Sequence, residues 1–90
     1  MLIKLLYIDA VLFEDFTTYY DFEEKKAKYW EGNDLEWINA QAERLKKLNI
    51  TVLTLDYVNN EEMAKKCVER AKEYGFISMT TKDIYLNSVE

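Results

Sequence analysis

Two stretches of the chain repeat their apolar residues at helical spacing, and each is bracketed by its own start and stop signals. The first covers about 34–48, where Leu35, Ile38, Ala42, Leu45 and Leu48 recur three or four residues apart. Asn33 is placed to cap it with Glu36 three residues on, the spacing of a capping box, and Asn49 supplies a left-handed terminator. The second covers about 60–74, where Met63, Ala64, Cys67, Val68 and Ala71 form one apolar stripe. Asn59 and Glu62 again have capping-box spacing, and Gly75 stops the helix because glycine enters the left-handed region without steric cost.

Around these helices lie short runs of β-forming residues at 9–13, 50–55 and 76–79. Ala10-Val11-Leu12-Phe13 is continuously apolar, as strands covered on both faces are, whereas Ile50 to Leu55 alternates partly with threonine. A last short helix is expected at 82–88, capped by Thr81. The order strand, helix, strand, helix, strand, helix predicts an α/β fold, a βαβαβα arrangement of three parallel strands with crossover helices. Right-handed crossovers put both helices on one face of such a sheet. The other face then needs a cover: the long loop, the N-terminal segment, a second copy, or further strands of a barrel.

Ninety residues make one domain at most, and a chain of this size buries only roughly 60–65% of its unfolded surface. The core material is present, with 49% apolar and 14% aromatic residues, so disorder is not expected. The net charge of −5 and the absence of a basic stripe argue against a nucleic-acid partner, because phosphate neutralisation needs clustered cations. The lysines stand among acids, as in Glu23-Glu24-Lys25-Lys26, and read as solvated faces. With one cysteine and no histidine, an internal disulfide and a histidine base are both excluded, the common zinc and haem spacings are missing, and no metal or cofactor is expected. Cys67 falls on the buried stripe of the second helix and reads as packing. Met1 to Ile8 is apolar, but Asp9 breaks the run and no small-residue cleavage site follows, so no signal peptide is expected. No run is long enough to span a bilayer, so no membrane partner is expected, and a cytoplasmic location is the default.

The connection from Glu14 to Asn33 is twenty residues long, far beyond an ordinary strand-to-helix loop, and it predicts a functional segment or a small helix within 21–30. It is rich in aromatics, among them Tyr19, Tyr20, Phe22, Tyr29 and Trp30. In parallel α/β folds function gathers at the C-terminal strand ends. Two of these ends carry acids: Glu14 and Asp15 after the first strand, Asp56 with Tyr57 after the second. With neighbouring strands about 4.8 Å apart, Glu14 and Asp56 are expected within several Å at one rim, the range used by paired carboxylates on a glycosidic bond. The structural alternative is that such acids cap helices or bond loop amides. The loop aromatics likewise have two readings, a stacking platform for sugar rings or a hydrophobic shield for the open sheet face.

Three stretches together resemble glycoside hydrolase family 114, the endo-α-1,4-polygalactosaminidase-like barrels. Ile8-Asp9-Ala10-Val11-Leu12-Phe13-Glu14-Asp15 is similar to a late strand of that family that ends in an acid. Val52-Leu53-Thr54-Leu55-Asp56-Tyr57-Val58 resembles its next strand, closed by an Asp-Tyr pair, and Ala71 to Ile77 is similar to the helix-Gly-strand step of the last unit. The resemblance covers nearly the whole chain but only the C-terminal portion of a TIM (β/α)8 barrel, so residues 1–90 are expected to form a single partial barrel domain. It implies O-glycosyl hydrolysis of a polysaccharide, with Glu14 and Asp56 as candidate catalytic residues, Asp56 also as a rim residue that binds or tunes, and Asp15, Tyr57, Tyr19 and Trp30 as candidate substrate contacts. The family's earlier strands, which supply a partner acid and most of the cleft, have no counterpart here, and Ser78-Met79-Thr80-Thr81 departs from its last strand. The chain is therefore expected to be inactive alone. The alternative is a non-catalytic α/β module that self-associates or pairs with a complementary barrel fragment.

Overall fold

A computed structural model of the chain describes residues 2–6 and 10–82. Its centre is a set of three parallel strands, β2 (Ala10–Glu14), β5 (Thr51–Tyr57) and β6 (Ile77–Thr81), with β1 (Leu2–Leu6) antiparallel on the outer edge of β2. Helices α1 (Gly32–Lys47) and α2 (Glu61–Glu73) make the crossovers, and a hairpin of β3 (Thr18–Asp21) and β4 (Lys26–Tyr29) stands between β2 and α1. The mixed α/β architecture and the parallel order match the expectation; β1 was not expected. The short helix expected at 82–88 lies outside the described residues except for Lys82.

The register decides which residue meets which layer. Glu14 stands opposite Leu55 and Leu55 opposite Met79, so the pleat sends Leu12, Glu14, Leu53, Leu55, Ile77 and Met79 to one face. Phe13, Val52, Thr54, Asp56 and Ser78 point to the other. Both helices lie on this second face, where Phe13 and Val52 pack with Ile38 and Ala42 of α1 and Ala71 of α2. Phe16, fully buried, joins that core through edge-on contacts to Phe13 at 5.1 Å and Tyr74 at 5.7 Å. Edge-to-face pairs of this kind add to the gain from area burial alone. No helix among the described residues covers the first face. There Leu12 and Leu53 are half-buried, while Met79 and Ile77 remain 40% and 55% exposed.

The twenty-residue connection is a hairpin, which corrects the expectation of a helical turn at 21–30. Its turn is built by Asp21, whose Oδ1 accepts the Glu23 and Glu24 amides at 2.9 and 3.1 Å, and by Lys25 at φ 56. Lys28 then bridges Asp21 and Glu24 across the base of the turn. Ala27 is the one buried residue of β4 and packs with Val58, Met63 and Cys67, which ties the hairpin to β5 and α2.

Both capping assignments shift. Asn33 lies inside α1, whose N-cap is Glu31 without a side-chain bond, and Gly32 at φ 63 makes the turn from the hairpin into the helix. Asn60, not Asn59, caps α2 by accepting the Met63 amide at 2.9 Å. Asn59 is used instead as a strand surrogate, accepting the Ala27 amide at 2.8 Å and donating to the Ala27 carbonyl at 2.9 Å. The helix stops stand where expected, at Asn49 with φ 57 and Gly75 with φ 76.

Candidate functional site

The acids singled out at the strand ends part company in three dimensions. Glu14, half-buried, belongs to the helix-free face at the C-terminal end of β2. Asp56 pairs with Thr80 one residue further along, so it points to the helix side and is fully buried. The expected rim pair of Glu14 and Asp56 is therefore corrected: the two carboxylates lie on opposite faces of the sheet, because their positions differ by one step of a period-two pleat.

What Asp56 does is visible in its bonds. Its Oδ1 accepts the amides of Thr17 and Thr18 at 2.7 and 3.1 Å, and the Phe16 amide also stabilises its charge. These are donors from one loop, 38 and 39 residues away in sequence. Oδ2 has no hydrogen-bond partner. Burial is the larger influence and pushes the carboxyl up to about 6, with the Asp15 charge adding to the rise. Cys67, buried beneath it on α2, is pushed up to about 12, first by burial and then by the charge of Asp56. A thiol in that state is not a nucleophile at neutral pH.

Asp15 occupies the corner where β2 leaves the sheet. Its φ of 57 is left-handed, its amide donates to the Leu55 carbonyl at 2.8 Å, and burial raises its carboxyl, with Glu14 adding to the effect. The corner is held from the other side by Trp30, whose indole Nε1 donates to the Asp15 carbonyl at 2.7 Å and whose amide donates to the Thr17 carbonyl at 3.1 Å. Thr18 Oγ1 donates to the Tyr57 carbonyl at 2.6 Å and completes the seam between loop and β5.

The aromatics divide by the same alternation. Tyr19 stacks against Trp30 with ring centroids 4.3 Å apart, while its neighbour Tyr20 faces Phe22 at 4.9 Å and Tyr57 at 6.2 Å. Tyr57 shares the helix-free face with Glu14, two positions beyond that residue's partner Leu55. Tyr19 and Trp30 instead border an open cleft of about 880 Å³ between β4 and the N-terminal turns of α1 and α2. Its walls include Tyr29, 40% exposed, the acids Glu31, Asp34 and Glu62, and Lys66 over the Tyr29 ring at 5.7 Å. A second hollow of about 230 Å³ lies beside Tyr20, Tyr57, Lys25 and Lys82.

The structure thus puts Glu14 and Tyr57 on one face of the sheet and brings Asp15 together with Trp30 and Tyr19, but does not join Glu14 to Asp56. Thr17 and Thr18, the amides that hold Asp56, were not singled out from the sequence; a backbone donor leaves no mark in residue type. Among the described residues no three His, Cys, Asp or Glu side chains group as a metal site would require, and no helix is long and apolar enough to cross a membrane. No protein-family model matches the chain, and no curated protein and no solved structure matches it.

Proposed function

We propose that the chain is the C-terminal β/α portion of a glycoside-hydrolase-like (β/α)8 barrel of the family 114 kind, contributing one carboxylate and an aromatic shelf to the hydrolysis of O-glycosyl bonds in an amino-sugar polysaccharide. The observation that carries this reading is the position of Glu14. It stands at the C-terminal end of a parallel strand on the face turned away from the helices, the face that a barrel turns inward. Tyr57 starts from the same face one strand over and packs against Tyr20 and the Ala27 cluster; in this reading it is a substrate contact at the rim.

Glycoside hydrolysis needs a second carboxyl roughly 5–9.5 Å from the first. Asp56 points away, so in this reading the partner acid comes from strands outside this set, and Asp56 serves the loop that frames the site. Tyr19 and Trp30 pack together at the edge of the cleft, whose lining carries three acids, Glu31, Asp34 and Glu62, balanced by three lysines, Lys26, Lys28 and Lys66. The test is affinity electrophoresis of the isolated chain through a gel containing a galactosamine polymer, alongside an assay for reducing ends. The expected result is retardation that Trp30→Ala and Tyr19→Ala weaken and Glu14→Gln leaves intact, with no reducing sugar released. Unretarded migration contradicts the binding shelf; release of reducing sugar contradicts the incomplete site.

One observation favours a second reading, a non-catalytic module that self-associates. In a barrel the outer edge of β2 takes a parallel neighbour, yet here the antiparallel β1 occupies it. A complementary barrel fragment must displace β1 to dock there, whereas a second copy covers the helix-free face with β1 in place. In that reading Glu14 has no partner acid in any assembly, and Glu14→Gln changes neither mass nor binding.

A further inference from the structure

Where the parallel strands end, the hairpin closes a small hollow of about 230 Å³. Tyr57 and Val58 reach it from the end of β5, Lys82 from the end of β6, and Tyr20, Lys25 and Ala27 from the hairpin. In parallel α/β folds the crevice beyond the carboxyl ends of the strands is the usual place for a ligand. The charge of this one runs against that of the chain. Acids outnumber basic residues 17 to 12 overall, yet among the described residues two lysines and no carboxylate line the hollow.

The other hairpin lysines are neutralised where they stand. Lys26 lies 3.3 Å from Glu24, and Lys28 is shared between Asp21 and Glu24. Lys25 and Lys82, both exposed, form no ion pair among the described residues. Lys25 also occupies a turn position with φ 56, which glycine would fill without strain. The turn alone gives no reason for a lysine there; an ammonium at the rim of the hollow does. The floor is the buried pair Ala27 and Val58, and Tyr20 against Tyr57 forms a wall, with ring centroids 6.2 Å apart. An apolar floor lowers the local dielectric and strengthens attraction between the two ammonium groups and an anion. Asn59 borders the hollow, but its side-chain amide is already bonded to the Ala27 backbone, so recognition falls to the lysines.

We propose that this hollow binds a small phosphate monoester, with the phosphate between Lys25 and Lys82 and the carbon skeleton against Tyr20 and Tyr57. Two unpaired cations match a phosphate monoester, which carries nearly two negative charges at neutral pH, better than they match a carboxylate. The volume limits the ligand. It lies below the roughly 300 Å³ at which pockets for drug-sized molecules begin, so it suits a phosphate with a few carbons and not a nucleotide. The site does not rest on the hydrolase reading: it is separate from the cleft beside Tyr19 and Trp30, and its ligand is an anion rather than an amino sugar.

The test is titration of the isotope-labelled chain with inorganic phosphate and with glycerol phosphate at constant ionic strength, followed by amide chemical shifts. Saturable shifts are expected around Lys25, Tyr57, Val58 and Lys82, with glycerol phosphate binding more tightly than inorganic phosphate. Lys25→Gly, which keeps the left-handed turn, and Lys82→Gln are each expected to weaken binding roughly fivefold. The double variant abolishes it, with the unfolding midpoint retained, while Lys26→Gln leaves affinity unchanged. Shifts that do not saturate, shifts of equal size around Lys65, Lys66 and Lys72, or unchanged binding in the double variant overturn the site. Equal affinity for the two probes overturns the role given to the tyrosines. A phosphoserine peptide is expected to bind no more tightly than glycerol phosphate, and tighter binding overturns the small-molecule assignment. The galactosamine-polymer gel reads the other cleft, so failure there leaves this titration standing.

Discussion

At the scale of single residues, Asp56 sets the balance between stability and loop geometry. Its folded value of about 6 exceeds the ordinary 3.8, so the native state binds the proton more tightly. The stability this group contributes is fully present below 3.8 and is lost as pH rises through 6, about 3 kcal/mol in all and roughly half of it between pH 5 and 7.5. Urea titrations at those two pH values are expected to show the loss in the wild type and a flatter response in Asp56→Asn. Asp56→Ala removes the acceptor itself and orphans the Thr17 and Thr18 amides, so it is expected to fall about 1–3 kcal/mol below Asp56→Asn at either pH. Asp21 and Glu24 are lowered by their hydrogen bonds, first to the Glu24 amide and to Lys28 respectively, and act in the opposite sense at lower pH. Phe16 is the other residue on which the corner turns. Truncation to alanine removes a fully buried ring that meets Phe13, Tyr74 and Phe76, and is expected to cost about 3–5 kcal/mol in the same titration.

At the scale of elements, the caps separate what periodicity can say from what only packing can. Asn60→Ala is expected to cost about 1 kcal/mol, read by thermal or urea unfolding, because the Met63 amide loses its acceptor. Asn33→Ala, exposed inside α1 with no capping bond, is expected to leave the midpoint unchanged. Asn59→Ala removes both bonds to Ala27 and is expected to loosen the hairpin, seen as faster exchange of the Ala27 amide. The helices and the three parallel strands were legible because apolar spacing records burial directly, as Ile38 and Ala42 do for α1 and Met63, Cys67 and Ala71 for α2. The cap assignments slipped because capping depends on backbone angles, and consecutive asparagines, Asn59 and Asn60, carry the same side chain into different work. The hairpin was hidden for a related reason. Its turn has no Asn-Gly or Asp-Gly pair, and β4 buries only Ala27 between lysines, so neither the turn nor the period announces a strand. Of the site, the strand-end acids were legible as positions, but their faces were not. Only the register, Glu14 against Leu55 rather than Asp56, separates them.

At the scale of the whole molecule, the controlling feature is a parallel sheet with both helices on one side. Parallel strands are almost always covered on both faces, yet Ile77 and Met79 remain exposed, with Leu12 and Leu53 half-buried beside them. The edge strand β6 adds backbone groups that no neighbouring strand pairs among the described residues. Both functional readings require a cover for this face, whether further β/α units or a second copy. A chain purified by itself has only copies of itself to supply it. The direct measurement is the solution mass by light scattering over a micromolar concentration series, for the wild type and for a variant with Ile77→Lys and Met79→Lys. The mass is expected to rise above the monomer with concentration in the wild type and to stay monomeric in the variant; a wild-type chain that remains monomeric throughout rules out an uncovered sheet face.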